Sequence, residues 1–243
     1  IEFGGNGKPA FLVTSREGIE QARVPYPAQP LRESADLLFL GEGFAKGLAE
    51  GKGLALRMDG GESLEGTFRS GELVEGLKRH ADGTQLQGTF EQGALMRGTL
   101  RRPDGSGGEG IWKDGRLQSP GKVMFADGRV FTGSFDSESI GRGEGTMAYP
   151  DGSQYTGGLA NQVPHGKGKR KTNDGTVYEG SFVNGNAQGE GKLTYANGES
   201  YEGSFNAGVP HGMGIFRSGS AVERAEYIEG QRVDQVYLMR VER

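Results

Sequence analysis

Lys192-Leu193-Thr194-Tyr195-Ala196-Asn197-Gly198-Glu199-Ser200-Tyr201-Glu202-Gly203-Ser204-Phe205 holds two short alternating runs joined at Asn197-Gly198. Asn-Gly is a strong hairpin signal, because it tolerates positive φ and suits the twist of antiparallel strands. The period of two places Tyr201, Gly203 and Phe205 on one face and Glu202 and Ser204 on the other. The stretch therefore reads as a β-hairpin with an aromatic face and a polar face. Glycine between two aromatics weakens a strand, but it leaves room for a ring to lie close to the backbone.

The same signal recurs along the chain. The dipeptides Asp59-Gly60, Asp82-Gly83, Asp104-Gly105, Asp127-Gly128, Asp151-Gly152, Asp174-Gly175 and Asn197-Gly198 stand 23, 22, 23, 24, 23 and 23 residues apart. A second series, Gly66, Gly88, Gly110, Gly133, Gly157, Gly180 and Gly203, keeps the rhythm. A fixed period of this length marks a repeat array in which each unit adds its strands to its neighbour's. The predicted fold is all-β: an elongated, single-layer antiparallel sheet of about eight hairpins over residues 36–230.

Composition agrees. Glycine makes up 46 of 243 residues and hydrophobic residues 33 %, which argues against a large globular core. Lysine plus arginine (28) nearly balance aspartate plus glutamate (32), for a net charge of −4, so no basic footprint for nucleic acid is present. The absence of cysteine removes thiolate nucleophiles and most structural zinc sites.

The periodic residues resemble the MORN repeat (membrane occupation and recognition nexus), with its pattern of Tyr-x-Gly-x-Phe, a glycine, then His-Gly-x-Gly. Tyr201, Gly203, Phe205, Gly208, His211, Gly212 and Gly214 fill it. Tyr178, Gly180, Phe182, Gly185, Gly189 and Gly191 do so with Gln188 in place of histidine, and Tyr155, Gly157, His165, Gly166 and Gly168 with Leu159 in place of phenylalanine. Leu40, Leu64 and Leu86 are read as standing at the tyrosine position upstream. The match is best over residues 143–216. The resemblance implies a non-enzymatic scaffold or protein-binding module; the alternative is a module that binds phospholipid, to which the family's name points, or a cell-envelope polysaccharide.

Chemistry is sparse. Gly105-Ser106-Gly107-Gly108-Glu109-Gly110 fits a dinucleotide fingerprint but lacks the flanking strand and helix, and no Gly-Lys pair completes a phosphate loop. His165 and His211 occupy equivalent positions two repeats apart, too far to share a metal. No catalytic residue, cofactor or metal is expected. The candidate partner site is the aromatic row Tyr155, Tyr178, Tyr201, Phe182 and Phe205, with His165 and His211 beside it. Those rings either stack structurally between repeats or receive a peptide or a glycan in a groove. Lys167, Lys169, Arg170 and Lys171 form the dense basic cluster and are the candidate lipid-headgroup site, although alternation sends some of them to opposite faces.

The ends differ from the body. Residues 1–35 carry Pro9, Pro25, Pro27 and Pro30 around a strand expected at 10–14 and read as an irregular leader, with a short helix expected to begin within 32–40. Residues 231–243, where Val233, Val236, Tyr237, Arg240 and Val241 recur at helical spacing, read as a C-terminal cap that is helix or strand. A bacterial periplasmic or envelope setting is expected, with the cytoplasm as the alternative.

Overall fold

The computed structural model describes residues 11–16, 19–25, 33–34, 37–45, 48–57, 61–136 and 139–233. Among these there are twenty-two strands and no helix. The chain divides into two compact units, residues 1–103 with 111–115, and residues 104–110 with 116–243. In each, successive strands pair antiparallel with their sequence neighbours, as the repeat predicts.

Glycine sets the register. In the second unit Gly133, Gly145, Gly157, Gly168, Gly180, Gly191, Gly203 and Gly214 stand opposite one another across eight consecutive strands. Gly41, Gly53, Gly66, Gly76, Gly88 and Gly98 form the corresponding row in the first unit. A Cβ on Gly66 would come within 2.1 Å of the Glu75 carbonyl oxygen, so adjacent backbones approach more closely there than side chains permit.

Two kinds of turn alternate along the sheet. At Asn197-Gly198 the Tyr195 N–H donates to the Glu199 carbonyl (2.8 Å) and the Gly198 N–H to the Tyr195 carbonyl (2.9 Å). Gly198 alone takes positive φ, so the loop is a type I turn closed by a glycine bulge and not a two-residue turn with both φ positive. The same bonds recur at His80, Phe125, Tyr149 and Thr172. The two-residue type I′ geometry lies at the other hairpin ends, where Ser70-Gly71, Gln92-Gly93, Asp114-Gly115, Asn184-Gly185, Ala207-Gly208 and Glu229-Gly230 all have both φ positive. This second series was not singled out in the sequence, because only Asp114-Gly115 and Asn184-Gly185 carry a strong turn signal and serine, glutamine, alanine and glutamate stand in the other members.

The N-terminal region is more regular than its prolines suggest: Phe11–Arg16 pairs with Ile19–Pro25 as a two-stranded antiparallel sheet. The helix expected within 32–40 is not formed. Glu33–Ser34 and Leu37–Ala45 are strands, and the latter pairs with Leu48–Arg57 through Gly41 and Gly53, making it one more repeat hairpin. Phe39, not Leu40, therefore holds the aromatic position: a Cβ on Gly41 would lie 2.3 Å from the Phe39 ring. Val233 ends the last described strand, Gln231–Val233, and the rest of the expected cap, Val236 to Val241, lies outside the described residues, as do Pro9, Pro27, Pro30 and the Asp59-Gly60 turn.

Candidate functional site

Strand alternation brings Tyr155, Tyr178 and Tyr201 to the face that carries the glycine row. Each ring lies on the glycines ahead of it: a Cβ on Gly168, Gly191 or Gly214 would sit 2.5, 2.6 or 2.2 Å from Cε2 of Tyr155, Tyr178 or Tyr201 respectively. Each hydroxyl then donates to a carbonyl three residues on, Gly158 at 2.8 Å, Ser181 at 3.1 Å and Ser204 at 3.1 Å. The missing glycine side chains are the space the rings fill.

The phenylalanine of each following repeat closes over the tyrosine. Tyr155–Phe182, Phe182–Tyr178, Tyr178–Phe205, Phe205–Tyr201 and Tyr201–Tyr227 are all edge-to-face pairs with ring centroids 4.7–5.3 Å apart. Such contacts suit the ring quadrupole and add to the burial of the rings. Tyr155 is 0 % exposed, Tyr201 1 %, Phe182 2 %, Phe205 3 % and Tyr178 6 %. Desolvation raises the phenol pKa of Tyr155, Tyr178 and Tyr201 above the ordinary value of 10.0.

The five aromatics nominated from the sequence are therefore a stacked core and not an open groove. Among the described residues, the rings are covered by glycine backbone on one side and by the next repeat's rings on the other. Backbone bonds join the repeats beside them, from Gly185 N–H to Pro164 O and from Gly208 N–H to Ala187 O, each 2.9 Å. His165 and His211 are exposed, each one residue past a buried proline, and do not join the aromatic row.

The basic cluster is also divided. Lys169 faces Glu179 across the strands, with Nζ 2.6 Å from Oε1, and alternation puts Lys167 and Lys171 on that same outer face, all three exposed. Arg170 points the other way, between Tyr155 and Tyr178 in the register of the inner face. Its guanidinium carbon stands 5.4 Å from the Tyr149 ring centroid, and one N–H reaches the Gly185 carbonyl at 3.4 Å.

What the inner face offers outward is a second strip, absent from the sequence reading. Phe125, Tyr149 and Tyr195 are half-buried and lie six residues ahead of Phe131, Tyr155 and Tyr201. Arg129 covers Phe125 at 4.9 Å, and Tyr195 leans on Phe216 at 6.5 Å. The constant six-residue offset was the available signal, broken at Thr172, which takes the place of a ring before Tyr178.

Asp82, Asp127, Asp151 and Asp174 serve the turns. Each accepts the backbone N–H two residues on, at 2.8–3.0 Å. Bonds from the Thr84 and Arg129 backbone, and from the Ser153 and Thr172 hydroxyls, hold these carboxyls below their ordinary value of 3.8. Among the described residues no group of three or more His, Asp or Glu is placed to hold a metal ion.

The family model of the MORN repeat matches residues 109–128, 142–154, 155–177, 178–200 and 201–220, the stretch that contains the stacked rings. No curated protein matches the chain.

Proposed function

Residues 109–220 belong to the MORN-repeat family, and we propose on that premise that the chain is a non-enzymatic scaffold whose inner face receives a segment of a partner protein. MORN repeats in general are non-catalytic modules that bind proteins or membranes. The observation that carries the reading here is the half-buried strip of Phe125, Tyr149, Tyr195 and Phe216 beside a fully packed ring stack. Rings that are partly accessible and set on a rigid base present contact area at little cost in conformational entropy.

The test is affinity capture with the intact chain against a Tyr149→Ser, Tyr195→Ser variant whose circular dichroism matches it. A protein retained by the first and not the second, and whose isolated segment then binds the purified chain in titration, supports the reading. Equal capture by both, or none, overturns it.

A phospholipid-headgroup role is favoured by one observation, the exposed Lys167, Lys169 and Lys171 on a single face, of which Lys169 is already paired with Glu179. Binding to phosphatidylserine vesicles that is lost on Lys167→Ala with Lys171→Ala would establish it.

A further inference from the structure

Arg170 occupies a position that the strands on either side of it, from Val123 to Phe216, fill with apolar side chains, the row ending at the exposed Glu223. The row across the inner face runs Val123, Phe131, Met147, Tyr155, Arg170, Tyr178, Leu193, Tyr201 and Phe216. A guanidinium set there, half-buried against Tyr149, gives up part of its hydration and needs hydrogen-bond acceptors in return. It carries five N–H donors, and the structure gives it one long bond, to the Gly185 carbonyl at 3.4 Å, and no ion pair among the described residues.

The first unit contains the same arrangement with the missing part present. Lys78 stands between Leu64 and Leu86 just as Arg170 stands between Tyr155 and Tyr178. There, the residue two before Leu64 is Glu62, and its carboxylate lies 3.3 Å from Lys78 Nζ and 2.9 Å from His80 Nδ1. In the second unit the residue two before Tyr155 is Ser153, and the residue two after Arg170 is Thr172. The same inward cation thus has an ion-paired carboxylate within the chain in one repeat, whereas in the other the exposed Asp151 attracts Arg170 only through space, without an ion pair.

From this contrast we propose that Arg170, stacked on Tyr149, is a carboxylate-recognition point on the inner face, and that it takes an aspartate or glutamate side chain of an acidic partner segment. The proposal rests on the protein-binding reading above and names the chemistry of the partner. Arginine suits the role because its planar fork accepts a carboxylate in a bidentate fashion while one face stays on a ring. Tyr149 beneath the guanidinium, and Tyr195 at the next-but-one strand of the same face, supply apolar contact for neighbouring residues of the segment, which a free anion would not use.

The test is selection of a random dodecapeptide library displayed on phage against the full chain, against Arg170→Leu, which installs the residue type found at Leu193, and against Ser153→Glu, which supplies the carboxylate in cis as Glu62 does for Lys78. Circular dichroism establishes that the variants fold. The expected result is a set of peptides from the wild-type chain with Asp or Glu at one fixed position. Their affinity should fall at least about tenfold on Arg170→Leu, on Ser153→Glu, or on replacing that acid by its amide in the peptide, as loss of a charged hydrogen-bonded pair requires. Peptides with no acidic position, or with undiminished affinity for both variants, overturn the carboxylate site and leave the protein-binding reading standing. If no peptide is enriched, both fall. Binding to phosphatidylserine vesicles that disappears with Arg170→Leu, in the absence of acidic peptides, assigns Arg170 to lipid and overturns the proposal equally.

Discussion

Tyr178 meets Phe205, the phenylalanine of the following repeat, edge to face, with centroids 4.7 Å apart and planes at 73°. The same Tyr178 ring covers Gly180 and Gly191 of its own hairpin. One side chain thus ties the backbone of one repeat to the ring stack of the next, and it is the route by which neighbouring hairpins become cooperative.

Removing that ring should be costly. Tyr178→Ala is expected to destabilise the chain by about 3–5 kcal/mol, the range for deleting a buried aromatic, because both the glycine backbone and Phe205 lose their cover. Tyr178→Phe removes only the hydroxyl bond to the Ser181 carbonyl and should cost about 1 kcal/mol. Urea unfolding followed by circular dichroism measures both, and equal costs for the two variants would refute the account.

The glycine row makes a complementary prediction. A Cβ at Gly191 would lie 2.5 Å from the Tyr178 hydroxyl oxygen and 2.6 Å from Cε2, so Gly191→Ala must displace the ring and should cost about 1–3 kcal/mol. In a Tyr178→Ala background the clash is gone and the cost should largely disappear. A double-mutant cycle reads this coupling directly, and additive effects would show that the ring and the glycine act independently.

Acid should loosen the turns. The carboxyls of Asp82, Asp127, Asp151 and Asp174 lie below 3.8 in the folded chain, so their contribution is fully present above 3.8 and is lost as pH falls through the lower folded values. The thermal midpoint is therefore expected to decline below pH 3.8. Replacing Asp151 and Asp174 by asparagine should flatten that decline while keeping the turns, since Asn197 already accepts the Glu199 N–H at 3.0 Å in the same role. An unchanged slope in the double variant would exclude these carboxyls as its source.

Alkali should act on the ring stack. Desolvation raises the phenols of Tyr155, Tyr178 and Tyr201 above 10.0, so the stability they give is present below 10.0 and lost as pH rises through the raised values. Ultraviolet difference titration should show these tyrosines ionising late and together with unfolding. Ionisation at the ordinary value in the folded chain would contradict their burial.

Much of the fold was legible in the sequence. The 23-residue spacing of Asp-Gly, the alternation around Tyr201 and the glycines between aromatics identify antiparallel hairpins, because turn chemistry and side-chain alternation are local properties of the chain. Position was less legible where residue types are ambiguous. A short helix was expected to begin within 32–40, and Leu40 was read in place of Phe39, whereas pairing of Gly41 with Gly53 makes Leu37–Ala45 a strand and sets its register. The type I′ turns passed unnoticed because Ser70, Gln92 and Ala207 adopt positive φ under the pull of the strands on either side, not from their own preference.

The sequence by itself determined the repeat, its hairpins, and which residues share a face. Only the tertiary structure decided what those faces are for. Tyr155, Tyr178 and Tyr201 look alike whether open or covered, and it is the cross-strand glycine and the phenylalanine of the next repeat, 27 residues beyond Tyr155 and Tyr178, that bury them. Likewise Lys78 and Arg170 are both single cations in a strand. Only their neighbours across the sheet separate the one ion-paired with Glu62 from the one without an ion pair among the described residues, because cross-strand pairing is a property of register and not of local sequence.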